Sequence, residues 1–185
     1  MSFLHSLAPD AGLLQIFQAF PELAQPLLEY HEVLLRGDSP FSAAEREFIA
    51  AYVSGLNNCN YCHAVHSQTA VALGIGANAI AEMLSNSQSE HLDPKMRPVL
   101  AFVRKLTLSP ATITAADADT VFAAGWNDRA LHDAVAICGL FNLMNRVVNG
   151  LGVKASEAYT RIAAQRLAQD GYSKLLELLP AGAEQ

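Results

Sequence analysis

Two helical patterns meet at a broken turn in residues 41–74, FSAAEREFIAAYVSGLNNCNYCHAVHSQTAVALG. Ser42 and Glu45 form an S-x-x-E capping box, which opens a helix running to about Leu56. The polar run NNCN ends it. A second helix starts near Cys59 and stops at GIG, residues 74–76. On this second helix, at about 100° per residue, Cys59, Cys62, His66, Ala70 and Leu73 share one face, with His63 at its edge. Cys62 and His66 are i and i+4, so a thiol and an imidazole sit one turn apart. Cys62 also falls in the first helical turn, where unpaired N–H groups and the helix dipole favour a thiolate.

The preceding helix has an apolar stripe of Phe48, Ile49, Tyr52, Val53 and Leu56. Its other face carries Glu47, Ala50, Ala51, Ser54 and Asn58. One charge among small residues is not the pattern of a solvated face. Small side chains let a second helix approach closely, and the neighbouring Cys–His helix is the expected partner. A buried carboxylate needs a partner of its own, and His66 supplies one. The expectation is a Glu47–His66–Cys62 relay: the carboxylate orients the imidazole, which takes the thiol proton directly or through water.

The short run CNYCH, residues 59–63, allows three chemistries: c-type haem attachment, a zinc site from Cys59, Cys62, His63 and His66, or a redox dithiol. For haem, Met83, Met96 and Met144 all sit in core-like stretches, so no axial ligand stands out. For zinc, the ligand number fits, but ligands along one helix do not resemble the usual knuckle arrangements. Three cysteines, with only two close in sequence, are not the disulfide framework of a secreted protein. Cys138 lies in an apolar run and reads as core.

The whole chain narrows the field. Its 185 residues suit one large domain or two small halves sharing a core; 51% are hydrophobic and 16% charged, which points to surface buried between subunits. The net charge is -6, and no Lys/Arg cluster stands out, so nucleic acid is not an expected partner. Apolar runs such as AVAICGLF (134–141) fall far short of the roughly 18 residues that mark a membrane span. The start, MSFLHSLAPDAGLLQIF, has no positive segment and carries Asp10, so it does not read as a signal peptide. The expected location is cytoplasmic.

Helical patterns fill the rest. Helices are predicted from about Ala11 to Phe20 and from Glu22 to Arg36, followed by the loop DSPFS. A short helix covers Asn78 to Leu84, and residues 85–93 form a polar loop. Asp93 is expected to cap a helix that starts at Pro94 and runs to about Leu108. Thr114 caps the next, which ends near Gly125. Asn127 or Asp128 opens a long helix to about Gly150. Ser156 to Gln169 forms another, with a short helix after it. A shift of 86 residues lays Asp133 on Glu47, Asn145 on Cys59 and Val148 on Cys62, a weak internal echo without cysteines in the second copy. His63, His132 and Asp133 read as structural, and Asn142, Asn145 and Arg146 as helix-capping or pocket-lining.

Glu47, Cys59-Asn60-Tyr61-Cys62 and His66 together give E-x11-C-x-x-C-x-x-x-H. This pattern resembles alkyl hydroperoxidase D, the peroxidase branch of the carboxymuconolactone decarboxylase superfamily. The stretch from Leu100 to Val153 is similar to the second half of its peroxidase-related members. The resemblance covers roughly residues 10–153, with 154–185 as a helical extension of the same single domain. It implies an all-α multi-helix bundle, assembled as trimers or hexamers. It also implies thiol-dependent reduction of a small hydroperoxide. Carried over by position, Cys62 is the peroxidatic cysteine, Cys59 the resolving one, and Glu47 and His66 the proton relay. Tyr61 stands where alkyl hydroperoxidase D has a histidine, and a phenol of pKa about 10 does not shuttle protons as an imidazole does. No metal or flavin is expected, and the reductant is an external dithiol. That dithiol is expected to reach Cys59, at the start of the turn, and to release Cys62 as the more acidic thiol. The alternatives are a general disulfide oxidoreductase, a zinc-stabilised structural or binding module and, furthest, a decarboxylase.

Overall fold

The computed structural model describes residues 2–86 and 89–180. Among these residues there are ten α-helices, one 3-10 turn and no strand, so the all-α expectation holds. None of the helices is long and apolar enough to cross a membrane.

The helix that follows the Ser42–Glu45 box, α3 (Ala43–Leu56) in chain order, is the centre of the molecule. The box is made as predicted: Glu45 N donates to Ser42 Oγ at 3.2 Å, and Ser42 N donates to Glu45 Oε2 at 2.8 Å. Every residue from Arg46 to Ser54 is buried. The apolar stripe and the small-residue face are therefore both covered. The small face takes α4 (Asn60–Ala72), its closest neighbour. The rest of α3 is covered by α2 (Pro21–Arg36), α6 (Met96–Leu108) and α8 (Asp128–Gly150). Outside α4 lies α9 (Glu157–Asp170), and the short α10 (Ser173–Leu176) returns to α2. The remaining helices, α1 (Leu13–Ala19), α5 (Ala77–Glu82) and α7 (Ala115–Ala123), complete the shell.

The α3–α4 connection sets up the site. Asn58 takes a left-handed conformation, φ 53°, which asparagine tolerates better than most side chains. Cys59 N then donates to Ser54 O at 2.9 Å. The chain reverses within this turn, and α4 runs back along α3 until His66 reaches the level of Glu47.

Two local expectations need correcting. Helix α6 starts at Met96 rather than Pro94. Asp93 instead closes a turn: its Oδ1 accepts from Lys95 N at 2.8 Å and its carbonyl from Met96 N at 2.9 Å. The 3-10 turn Pro110–Thr112 has no counterpart in the sequence reading. Residues 87 and 88 of the predicted loop, and 181–185 of the extension, lie outside the described residues.

Candidate functional site

Glu47 is fully buried, and three side chains donate to its carboxylate. His66 Nδ1 lies 2.6 Å from Oε2. On Oε1, Arg36 Nη2 donates at 2.7 Å and the Tyr172 hydroxyl at 2.9 Å. Burial pushes the Glu47 carboxyl up, and His66 and Arg36 more than reverse it, so it stays below the ordinary carboxylate range. An ionised Glu47 accepts the Nδ1–H of His66. A neutral imidazole is then left with Nε2 as its acceptor. Phe141 meets the His66 ring edge-on, centroids 4.5 Å apart, and fixes its plane.

Cys62 and His66 line the same cavity, of about 170 Å³. Its walls are mainly apolar and include Leu14, Phe17, Val65, Phe141, Met144 and Leu175. Tyr61 also lines it, but its hydroxyl sits 3.5 Å from that of Tyr159 rather than at the Glu47–His66 pair. Cys59 does not line the cavity and is completely buried. The expectation that an incoming reductant reaches Cys59 more easily is thus reversed. Cys59 is the N-cap residue of α4, and the turn that carries it is packed beneath α8. There Asn57 Nδ2 donates to Asn145 Oδ1 at 2.9 Å, and Asn145 Nδ2 to Ser54 Oγ at 3.0 Å.

The balance between the thiols also differs from the expectation. The Cys62 thiol, acting as donor, pulls Cys59 down to about 7 against the cost of burial. The backbone N–H groups of Cys62 and Tyr61 and the Asn145 amide add to this. The interaction with Cys59 and burial push Cys62 up. Sequence spacing assigned the helix terminus to Cys62. In the structure Cys59 is the N-cap residue, although its side chain makes no capping hydrogen bond, and backbone N–H groups favour the thiolate form of both cysteines.

The four candidate zinc ligands do not converge. His63 Nδ1 bonds the Ala51 carbonyl at 2.9 Å, and His66 Nδ1 is taken by Glu47. Among the described residues no group of three or more His, Cys, Asp or Glu side chains is placed to hold a metal ion.

Sequence reasoning missed Arg36, Tyr172 and His31. A buried glutamate needs countercharge, and Arg36, in the last turn of α2 just before the capped helix, was the readable candidate. Tyr172 carried no such signal. His31 is buried between Phe141 and Tyr172, with ring centroids at 6.0 and 5.1 Å. Burial lowers its pKa to about 4, so it is neutral near pH 7.

Residues 21–105 match the model of the carboxymuconolactone decarboxylase family. A crystal structure of an uncharacterized peroxidase-related protein from Silicibacter sp. TM1040 superposes with a TM-score of 0.74 at 29% identity, covering 80% of this chain and 78% of that one. Across these stretches the chain is similar to the carboxymuconolactone decarboxylase family and to a peroxidase-related protein of the same all-α fold. The fold also matches the alkylhydroperoxidase AhpD core of an uncharacterized peroxidase-related protein from Ralstonia eutropha JMP134 (TM-score 0.69, 24% identity, 79% of this chain and 78% of that one). No curated protein matches the chain. The part that matches the family model contains Arg36, Glu47, Cys59, Cys62 and His66. It ends well before Phe141, Asn145 and Tyr172, so the site is completed by later segments of the chain.

Proposed function

We propose that the protein is a thiol-dependent peroxidase that reduces organic hydroperoxides through Cys59 and Cys62. The observation that carries this reading is the 2.6 Å contact between Glu47 and His66, with His66 and Cys62 together on an apolar cavity. Cys62 is the sulfur a substrate in that cavity meets. His66 Nε2 takes its proton. The thiolate attacks the terminal oxygen of R–O–O–H and the O–O bond breaks. Cys62 becomes a sulfenic acid, and RO⁻ leaves as the alcohol with the proton returned by His66. The Cys59 thiol then attacks the Cys62 sulfur, its proton leaves with the displaced hydroxide as water, and the disulfide forms.

An external dithiol restores the pair by exchange. Cys62 is again the sulfur on the cavity, so attack there releases Cys59. The more acidic thiol is the better leaving group, and the N–H groups and the Asn145 amide hold it as a thiolate. In this reading the direction of exchange is opposite to that expected from spacing.

A peroxide-consumption assay with a panel of dithiol donors tests the proposal. Catalytic turnover is expected with at least one donor. Reduction of a model disulfide without peroxide turnover would favour the general oxidoreductase. The protein is further proposed to work as a homotrimer or hexamer. Leu23, Tyr30 and Val33 on one side of α2 are exposed apolar side chains of the kind such an assembly covers. Light scattering at micromolar concentration is expected to give a multiple of the 19.9 kDa chain, and a stable monomer would refute the assembly.

A further inference from the structure

We infer that Tyr172 is a positioning residue of the proton relay, delivered by the C-terminal segment; this rests on the peroxidase reading above. Tyr172 is buried, and its hydroxyl donates to Glu47 Oε1 at 2.9 Å. The same oxygen lies 3.5 Å from His66 Nδ1, whose hydrogen is already committed to Glu47 at 2.6 Å. Burial pushes the phenol well above its usual pKa. The group therefore remains a donor and does not itself relay charge.

Its role follows from Arg36. A guanidinium prefers to grip a carboxylate with two parallel N–H bonds. That grip on Glu47 would draw Oε2 away from His66. The structure keeps Arg36 to one bond on Glu47, through Nη2. Nη2 also donates to Leu167 O at 2.9 Å, and Nη1 to Leu35 O at 2.9 Å. The Tyr172 hydroxyl fills the remaining place on Oε1. Glu47 is then held in the rotation that leaves Oε2 for His66.

The segment that brings Tyr172 is fastened to α2. Glu32 Oε2 accepts from Tyr172 N at 2.6 Å and from Ser173 N at 3.0 Å. Gly171, φ 68°, makes the turn, and a Cβ there would stand 2.8 Å from Glu32 Oε2. Arg36 lies over the Tyr172 ring at 5.1 Å. Glu32 and Arg36, one turn apart, thus hold the backbone, ring and hydroxyl of this corner of the chain against the relay.

Tyr172→Phe is the test, because it removes the hydroxyl and keeps the ring. The expected result is a fall in kcat for peroxide reduction of roughly 10-fold, the scale of a hydrogen bond to a charged group. KM should change little. The acid limb of the pH–kcat profile should move to higher pH, because Glu47 loses a donor that favours its charged form. Asp119→Asn, at an exposed position of α7 off the cavity, should leave rate and profile unchanged. An unchanged kcat and acid limb in Tyr172→Phe, while His66→Ala and Glu47→Gln lose turnover, would overturn this inference and leave the peroxidase reading intact. A lowered melting temperature with an unmoved acid limb would also overturn it, by making the hydroxyl merely structural. Full activity in His66→Ala would instead remove the relay itself.

Discussion

Glu47 on α3 and Asp133 on α8 coincide when the chain is shifted by 86 residues on itself, and both carboxylates are closed off from solvent. Their surroundings differ. Asp133 accepts from Ser39 Oγ at 2.7 Å, Arg129 Nε at 2.8 Å and His132 Nδ1 at 3.1 Å. The side chains of Arg129 and His132 are 58% and 74% exposed. In both cases burial raises the carboxyl pKa and the partners more than reverse it. What separates them is where the imidazole leads. His66 continues from Glu47 to a cavity with a thiol on it, whereas His132 continues from Asp133 to water. The helices differ for the same reason. After Glu47 the chain breaks at Asn57–Cys59 and returns, bringing His66 and Cys62 back. After Asp133, α8 runs on unbroken to Gly150, so no helix returns past the carboxylate, and Val148 stands where the second sulfur would be. A buried ionised carboxylate is thus a structural tie by default, and the broken turn makes one of the two available for chemistry.

The largest expected effect contrasts cysteines from the two halves. Cys62→Ser should abolish peroxide turnover, whereas Cys138→Ser, at a thiol raised by burial and 3.2 Å from Thr107 Oγ1, should keep it. Cys59→Ser should consume about one equivalent of peroxide and stop, leaving a sulfenic acid on Cys62 that a dimedone-type reagent traps. Mass spectrometry locates the adduct. An adduct on Cys59 in the Cys62→Ser protein, with none on Cys62 in the reciprocal variant, would reverse the assigned roles.

Next in size is the carboxylate pair itself. Glu47→Gln should lower turnover by roughly 100-fold, the scale of general acid–base assistance. It should also destabilise the fold by about 3 kcal/mol, because Arg36 is left without its partner. Asp133→Asn should cost about 1–3 kcal/mol and leave turnover intact. Urea denaturation and the peroxide assay, run on both variants, separate the two effects. Equal loss of turnover would erase the distinction. Since each folded carboxyl lies below its unfolded value, its stabilisation is present above the ordinary range near pH 4 and is lost as pH falls through the lowered value. Each variant's stability deficit should shrink in acid.

The smallest effect is on the pH profile. The hydrogen bond from the Cys62 thiol lowers the first thiol ionisation of the pair below that of a free cysteine. Asn145→Ala removes a donor that favours the thiolates, so this ionisation should move slightly upward, as read by thiolate absorbance against pH. A downward move would mean that the amide favours the protonated pair.

The parts of the site that lie on α3 and α4 were legible because helical period fixes faces. The small-residue stripe around Glu47 identified a buried carboxylate, and the i,i+4 spacing put Cys62 and His66 together. Contacts between α2 and residues 167–173 were not legible. Neither Glu32, which reads as an ordinary helix-surface charge, nor Tyr172 shows a period or spacing that points to the other. Their meeting depends on how the C-terminal corner docks. Cys59 failed for a related reason. A position at the start of a helix is often exposed, but Asn145 and Asn57 hold this start under α8, and nothing local to the turn reveals that cover.

The placement of the two sulfurs sets up a race. Cys59 sits at the helix N-cap with Cys62 one turn further on, close enough for one thiol to shift the other's pKa. In the proposed cycle, closing the disulfide is a unimolecular event between neighbouring groups. Further oxidation of the sulfenic acid needs a second peroxide molecule to enter the cavity. The first process is indifferent to peroxide concentration and the second grows in proportion to it. Inactivation to the sulfinic acid should therefore appear only at high oxidant loads and should rise steeply once Cys59 is replaced.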